Sequence, residues 1–391
     1  MDGVIEGIKK SAPTVFSSAE SSVDRCFELT LSSESPALIE SLADYFTKYM
    51  QHVFSLSSHI KQLISEEKHE EKKMDFQEVA SFGGWNSFRS SLELLRLSAQ
   101  LSEQLHNFDK KLRTKLLSHK NFVFDNKLTR RQSNVTESDL LNGLVLALHL
   151  RDDLVSCNKL LAFFESLQKS TVLLVGPIGT FNSFQSVAAS LVFEIAFGYV
   201  VKTLEKVPSL PCWNKMEKKK QEDESSSEED EDVASDFNST PSAYVRALSE
   251  HLFALPQQLQ PFENDELIKR TLVATRKEKE EGLEEMEDSF VFHWVCKVSE
   301  QTCKEYVKRV LEIPSLTEKG VEQLRMDVEY FMNVLRAIDV PVDSDVMELF
   351  SLLSLSSVEV AEMSQDEKHE KTNLFAQISR MRGTPSAIEK N

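Results

Sequence analysis

Between Leu42 and Leu63 the apolar residues Leu42, Phe46, Tyr49, Val53, Leu56, Ile60 and Leu63 recur in alternating steps of four and three. That rhythm lines all seven along one stripe of an α-helix, whereas a strand would divide them between its two faces. It predicts a helix from about Pro36 to Glu67. The same spacing returns in Leu94, Leu97, Leu101, Leu105, Phe108, Leu112 and Leu116, and again in Leu141, Leu144, Val145, Leu148, Leu161, Phe164 and Leu167. Phe184, Val187, Ala188, Leu191, Val192, Ile195 and Val200 form a fourth such face, and Val321, Leu324, Val328, Phe331, Leu335 and Ile338 a fifth. No period-two segment is long enough to build a sheet, and only 11 Gly and 11 Pro punctuate 391 residues. The expected fold class is all-α, an elongated antiparallel helical bundle or rod.

Breakers and charge runs divide the chain. Residues 1–214 read as a helical rod region, interrupted by the charged run Glu66 to Lys73 and by Gly83-Gly84. Residues 215–241 read as an acidic linker, because Glu217 to Thr240 hold almost no apolar side chains to offset the entropy of ordering. A helix and a proline–glutamine turn occupy 242–262, a charged insertion 263–288, and a C-terminal helical bundle 289–391. In the third of these, Tyr244, Leu248, Leu252 and Leu255 make one apolar face, and Pro256 is expected to end the helix near Ala254. Thr136 or Ser138 is expected to cap the helix that follows, Ser315-x-x-Glu318 the helix of Val321, and Asp345 with Glu348 a short helix through Leu355. A final helix is expected from about Lys371 to Met381.

The net charge of −18 argues against nucleic acid and against broad adhesion to an anionic membrane. Cys26, Cys157, Cys212, Cys296 and Cys303 are odd in number and lack a CxxC pair, which points to a reducing, cytosolic setting without a disulfide framework. The N-terminal residues carry neither a secretory nor a myristoylation pattern. Val187 to Val201 is the stretch nearest to a membrane span, but it holds Glu194 and falls short of the ~20 apolar residues a span needs. It is expected to be a buried helix, with any membrane role peripheral.

Chemistry is scarce. Val172 to Thr180, which includes Gly176-Pro177 and Gly179, imitates a strand entering a phosphate loop, yet it lacks the Lys-Ser/Thr pair and reads as a helix-to-helix corner. His293, Cys296 and Cys303 share helical spacing and so present a metal-ligand alternative, but a fourth ligand is missing and core packing is the expected role. Ser225, Ser226 and Ser227 each precede an acidic residue by three positions, the pattern an acid-directed kinase accepts; a plain solubilising linker explains them equally. No nucleophile elbow and no His-Glu-x-x-His occurs, so the expectation is a protein that is not an enzyme and needs no cofactor.

Several segments taken in order carry a resemblance: Pro13 to Phe16, Trp85 to Leu105, Leu204 to Trp213, Tyr244-Val245, and the tract Leu255, Pro256, Gln257, Gln258 and Leu259. Trp294 to Val298, Gly320 to Leu324, Asp327 to Tyr330, Asn333 to Leu335 and Met381-Arg382 follow. Together they resemble the C-terminal half of the subunit-seven family of the conserved oligomeric Golgi complex, whose members are roughly twice this length. The resemblance implies a helical rod of the multisubunit tethering type, peripheral on the cytosolic face of the Golgi. It further implies a role in intra-Golgi retrograde transport that keeps glycosylation enzymes in place. The implied partners are the other tether subunits, notably five, six and eight, and, through the complex, SNAREs, Rab GTPases and coiled-coil tethers. The alternatives are a subunit of another helical-rod tether of the exocyst kind and, further off, an orphan helical enzyme or metal protein.

Overall fold

The computed structural model describes residues 2–30, 33–70, 84–128, 154–214, 240–275, 289–365 and 373–383. Among these residues the regular structure is helical, with no strand. The helices are α1 (Asp2–Thr30), α2 (Ser35–Glu70), α3 (Gly84–Leu128), α4 (Leu154–Lys169), α5 (Val175–Leu204) and α6 (Ala243–Leu259). They continue with α7 (Glu266–Thr275), α8 (Phe290–Leu311), α9 (Glu318–Ala337), α10 (Ser344–Leu353), α11 (Ser357–Gln365) and α12 (Asn373–Met381). The chain forms two units: Met1–His69 with Arg89–Val192 and Arg270–Arg276, and Glu70–Phe88 with Phe193–Lys269 and Lys277–Asn391. The expected cap residues Thr136 and Ser138, the apolar positions Leu141, Leu144, Val145 and Leu148, and Ser225 to Ser227 lie outside the described residues.

In the first unit the side-chain partners give the helix register. Ser11 meets Tyr49 and Phe16 meets Phe46, so α1 and α2 run antiparallel. Lys9 pairs with Glu93, Glu20 with Lys111 and Asp24 with Lys115, so α1 and α3 run parallel, as the first and third members of an up–down–up array must. These pairs are substantially exposed and each contributes only about 0–1 kcal/mol, so they record the register more than they create it. The driving force is the apolar stripe. All seven predicted positions from Leu94 to Leu116 are buried, and Leu92, Leu95 and Ala99 add a second buried face. α3 is thus an inner helix. Phe16, Phe46 and Phe108 form an aromatic knot with ring centroids 5.3 to 6.4 Å apart.

The corner expected at Val172 to Thr180 is shorter, occupying 170–174. Gly176, Pro177 and Gly179 do not break the chain but lie in the first turns of α5, where a proline lacks no helical hydrogen bond. The corner is built on a buried acid. Asp109 of α3, 4% exposed, accepts hydrogen bonds from the backbone N–H groups of Leu173 (3.0 Å) and Leu174 (2.8 Å), just before α5 begins. By length and composition α5 is apolar enough to cross a membrane. In the protein Phe181, Phe184, Ala188, Leu191 and Val192 on one side are buried, while Asn182, Ser183, Ser186, Ser190 and Glu194 on the other are exposed. That two-sided pattern is the one a core helix of a bundle requires.

The second unit is organised around α6, α8, α9, α10 and α12. Its centre is aromatic: Trp213, Tyr244, Tyr306 and Phe331 are at most 1% exposed. Tyr306 stacks on Phe331 at 4.8 Å and on Tyr244 at 6.3 Å, and Trp213 meets Tyr244 edge-on. Of the predicted stripe, Val321, Leu324, Val328, Phe331 and Leu335 are buried, and Ile338, just past the end of α9, is half-buried.

Three local expectations are corrected. α6 does not stop near Ala254 but continues through Pro256 to Leu259. Leu255 and Leu259 are both fully buried, and keeping them on the same face outweighs the one backbone hydrogen bond that Pro256 cannot donate. The cap of α9 is Thr317, whose hydroxyl accepts from the N–H of Gly320, while Ser315 donates to Asn214 instead. The cap of α10 is Asp343, which accepts from the N–H of Asp345.

Candidate functional site: the proline–glutamine helix and its buried anchors

The entry of α6 is held by α9. Ser242, the N-cap residue of α6, makes no side-chain cap of its own; its backbone N–H donates to the Asp327 carboxylate at 2.8 Å. The Gln323 amide, one turn earlier on α9, lies within hydrogen-bond reach of the Thr240 carbonyl (3.2 Å), the Ser242 hydroxyl (3.1 Å) and Asp327 (3.0 Å). Asp327 is fully buried, and burial raises its carboxyl above the ordinary range, although the donors from Ser242 and Gln323 oppose the rise. One turn away the Tyr244 and Tyr306 hydroxyls share a hydrogen bond at 3.1 Å. Burial, with Asp327 nearby, lifts both phenols far above their usual range, so both stay protonated at neutral pH.

Further along α6, the tract itself divides between packing and surface. Leu255 and Leu259 are buried, Pro256 and Gln258 half-buried, and Gln257 exposed. A 3₁₀ turn, Gln260–Phe262, follows with Pro261 in its first positions, and Asp265 then caps α7 by accepting from Leu267. His251, on the same helix, lies between the rings of Trp85 (4.9 Å) and Tyr199 (4.5 Å), both nearly parallel to it. Its Nε2 sits 2.9 Å from the Ala196 carbonyl and, facing an acceptor, carries the proton. Burial lowers its pKa to about 4, leaving the imidazole neutral.

The exit from α5 is anchored on the same helix α9. Trp213 donates its indole N–H to the Val207 carbonyl at 2.6 Å. Its own carbonyl receives the Thr317 N–H at 3.0 Å and the Thr317 hydroxyl at 3.1 Å. At the end of the chain's described part the Met381 carbonyl accepts from Leu316, and Arg382 donates to the carbonyls of Leu352 in the last turn of α10 and Leu355 just beyond it. Segments that carry the sequence resemblance, from Val207 to Trp213, Tyr244, Gly320 to Leu324, Asp327 and Met381-Arg382, therefore meet in one bundle. Sequence reasoning missed His251, and it valued Gln323 and Asp327 only as parts of a resemblance. Their signal was two polar residues four apart flanking the buried Leu324 and Val328, which puts them partly on the apolar side of α9.

The metal-ligand alternative does not assemble. Cys303 is buried, with its thiol pushed up to about 12 by desolvation, and Cys296 and His293 are only half-buried. Seven residues of helix separate the two thiols by about 10 Å of rise, too far for one ion with ~2.3 Å sulfur bonds. Among the described residues no group of three or more His, Cys, Asp or Glu is placed to hold a metal.

The buried polar groups of this unit thus fix helix ends and loop ends to one another, and they define an all-α protein of the helical-bundle class in which polar chemistry serves assembly of the fold. The chain belongs to the Golgi complex component 7 (COG7) family, whose model matches residues 2–383. It is 24% identical to conserved oligomeric Golgi complex subunit 7 of Arabidopsis thaliana over 93% of this chain and 44% of the relative. The subunits 7 of Rattus norvegicus and Homo sapiens are 22% and 21% identical over 97% and 92% of this chain, and 49% and 47% of the relatives. The chain therefore spans just under half the length of the curated relatives it matches.

Proposed function

We propose that this chain is a non-enzymatic helical part of a Golgi vesicle-tethering complex, acting in intra-Golgi retrograde transport and so in the maintenance of Golgi glycosylation. The observation that carries the reading is the family match across residues 2–383, nearly the whole chain. The site supports it: the polar residues at the centre of the second unit are spent on helix entries and loop exits, and the Tyr244 and Tyr306 hydroxyls remain protonated. The mechanism is geometric, with bundled helices presenting surfaces that other subunits of the complex bind. Association is with the cytosolic face of the Golgi membrane and is peripheral. Subunits five, six and eight are the expected neighbours, and SNAREs, Rab GTPases and coiled-coil tethers are reached through the complex.

The experiment is affinity purification of the tagged chain from cell extract, with mass spectrometry of what accompanies it. Recovery of the other Golgi tether subunits supports the assignment. Recovery of exocyst-type subunits in their place, or of no tether subunit from either this chain or a longer transcript, refutes it.

A further inference from the structure

The described residues stop at Asn214 and resume at Thr240, and helix α9, with the residues that lead into it, holds both points. On the exit side, Thr317 takes the Trp213 carbonyl with two donors, Ser315 donates to Asn214 at 2.7 Å, and Gly320 lies directly under the Trp213 backbone. On the re-entry side, Gln323 reaches Thr240 and Ser242, and Asp327 accepts from Ser242. The two anchor points are about ten residues apart on the helix, roughly 15 Å of rise. The intervening residues 215–239, at ~3.4 Å per extended residue, have several times the contour length needed to close that distance. Covalent linkage alone therefore does not fix the distance between Trp213 and Ser242. Packing holds the two flanks together as well. Trp213, Val207 and Tyr199 precede the acidic residues, Tyr244, His251 and Tyr306 follow them, and Trp213 touches Tyr244 while Tyr199 stacks on His251.

We propose that α9 is a two-point clamp that holds both flanks of the acidic segment, so that covalent continuity through residues 215–239 is dispensable for the assembled bundle. Altering the length of that segment or cutting it leaves the helices on either side together.

The test is a full-length chain with a site-specific protease sequence inserted between Ser227 and Glu228. After complete cleavage the two halves are expected to co-elute in size-exclusion chromatography at about 1 μM, with unchanged tryptophan emission. Once the chain is cut, linkage no longer supplies an effective concentration, so survival at about 1 μM means that the anchors and the packing around them carry the association. Separation of the halves without denaturant would overturn the proposal. Two variants address the clamp itself. Thr317→Val removes the exit hydroxyl and Gln323→Leu the re-entry amide, and each is expected to weaken association of the cut halves about tenfold. Cut variants that hold as tightly as the parent would equally overturn it.

Discussion

Gly320 gives the sharpest perturbation of this structure. A Cβ placed on it would stand 2.6 Å from the Trp213 carbonyl oxygen and 3.2 Å from the Trp213 Cα, both backbone atoms. A rotamer change cannot relieve a clash with backbone, so either α9 or the 210–214 loop must shift. A shift sufficient to restore contact distance stretches both hydrogen bonds from Thr317 to the Trp213 carbonyl, each worth about 1 kcal/mol net. It also disturbs a fully buried indole, and overpacking of this kind costs about 1–3 kcal/mol. Against this, alanine gains about 1 kcal/mol over glycine in a helix interior. The net expectation for Gly320→Ala is a loss of about 2–3 kcal/mol. At roughly 2–4 °C per kcal/mol for a unit of this size, Tm falls by about 5–10 °C. The assay is urea and thermal unfolding followed by tryptophan emission, with Gly7→Ala as the control. Gly7 is on a helix, and nothing lies within 4 Å of its added Cβ, so the same substitution there should stabilise by up to about 1 kcal/mol. Equal signs at the two glycines would refute the reasoning.

Asp339 sits at φ 57, the left-handed position that closes α9, where the N–H groups of Asp339 and Val340 return to the carbonyls of Arg336 and Leu335. Asp339→Gly is therefore expected to raise stability by about 0.5–1 kcal/mol, which chemical denaturation would read; a loss would refute the cap assignment. Pro256→Ala restores an N–H facing the Leu252 carbonyl within a helix that already continues past it, and should stabilise by about 1 kcal/mol, net of the proline's restriction of the unfolded chain. Leu255→Ala removes a fully buried side chain and should cost about 2–5 kcal/mol, whereas Gln257→Ala on the exposed side should stay within about 0.5 kcal/mol. His251 gives a pH dependence. Its folded pKa of about 4 lies below the unfolded value of 6.5, so the unfolded state binds more protons between them. Stability should fall as pH drops from 7 to 5, by up to about 2 kcal/mol from this residue, and His251→Phe should flatten that slope.

The stripes made the helices legible, because burial of one face is a repeated, additive signal that tolerates single misplacements. Val321 to Leu335 and Leu94 to Leu116 lie where their spacing put them. Boundaries were less legible. Ser315 and Thr317 are chemically near-equivalent caps, and the choice between them is made by the Trp213 carbonyl, more than a hundred residues away, which Thr317 also serves. Asp343 and Asp345 pose the same problem at α10. The local rule makes the proline at 256 a stop; buried Leu255 and Leu259 on either side override it.

The site was the least legible part, and for a physical reason. Asp327, Gln323 and His251 look in sequence like ordinary residues of a solvated helix face, since one polar residue every third or fourth position is what an amphipathic helix needs. Their role depends on a carbonyl or N–H contributed from a distant part of the chain: the Ser242 N–H for Asp327, the Thr240 carbonyl for Gln323, and the Ala196 carbonyl within α5 for His251. A buried carboxylate without such donors would be costly enough to exclude Asp327 from the core altogether. Stripe and partner must therefore be read together. At Gln323 and Asp327 the polar residues that break the apolar side of α9 hold the loop end that enters α6, and the resemblance-bearing segments 207–213, 320–327 and 381–382 mark where such loop ends meet.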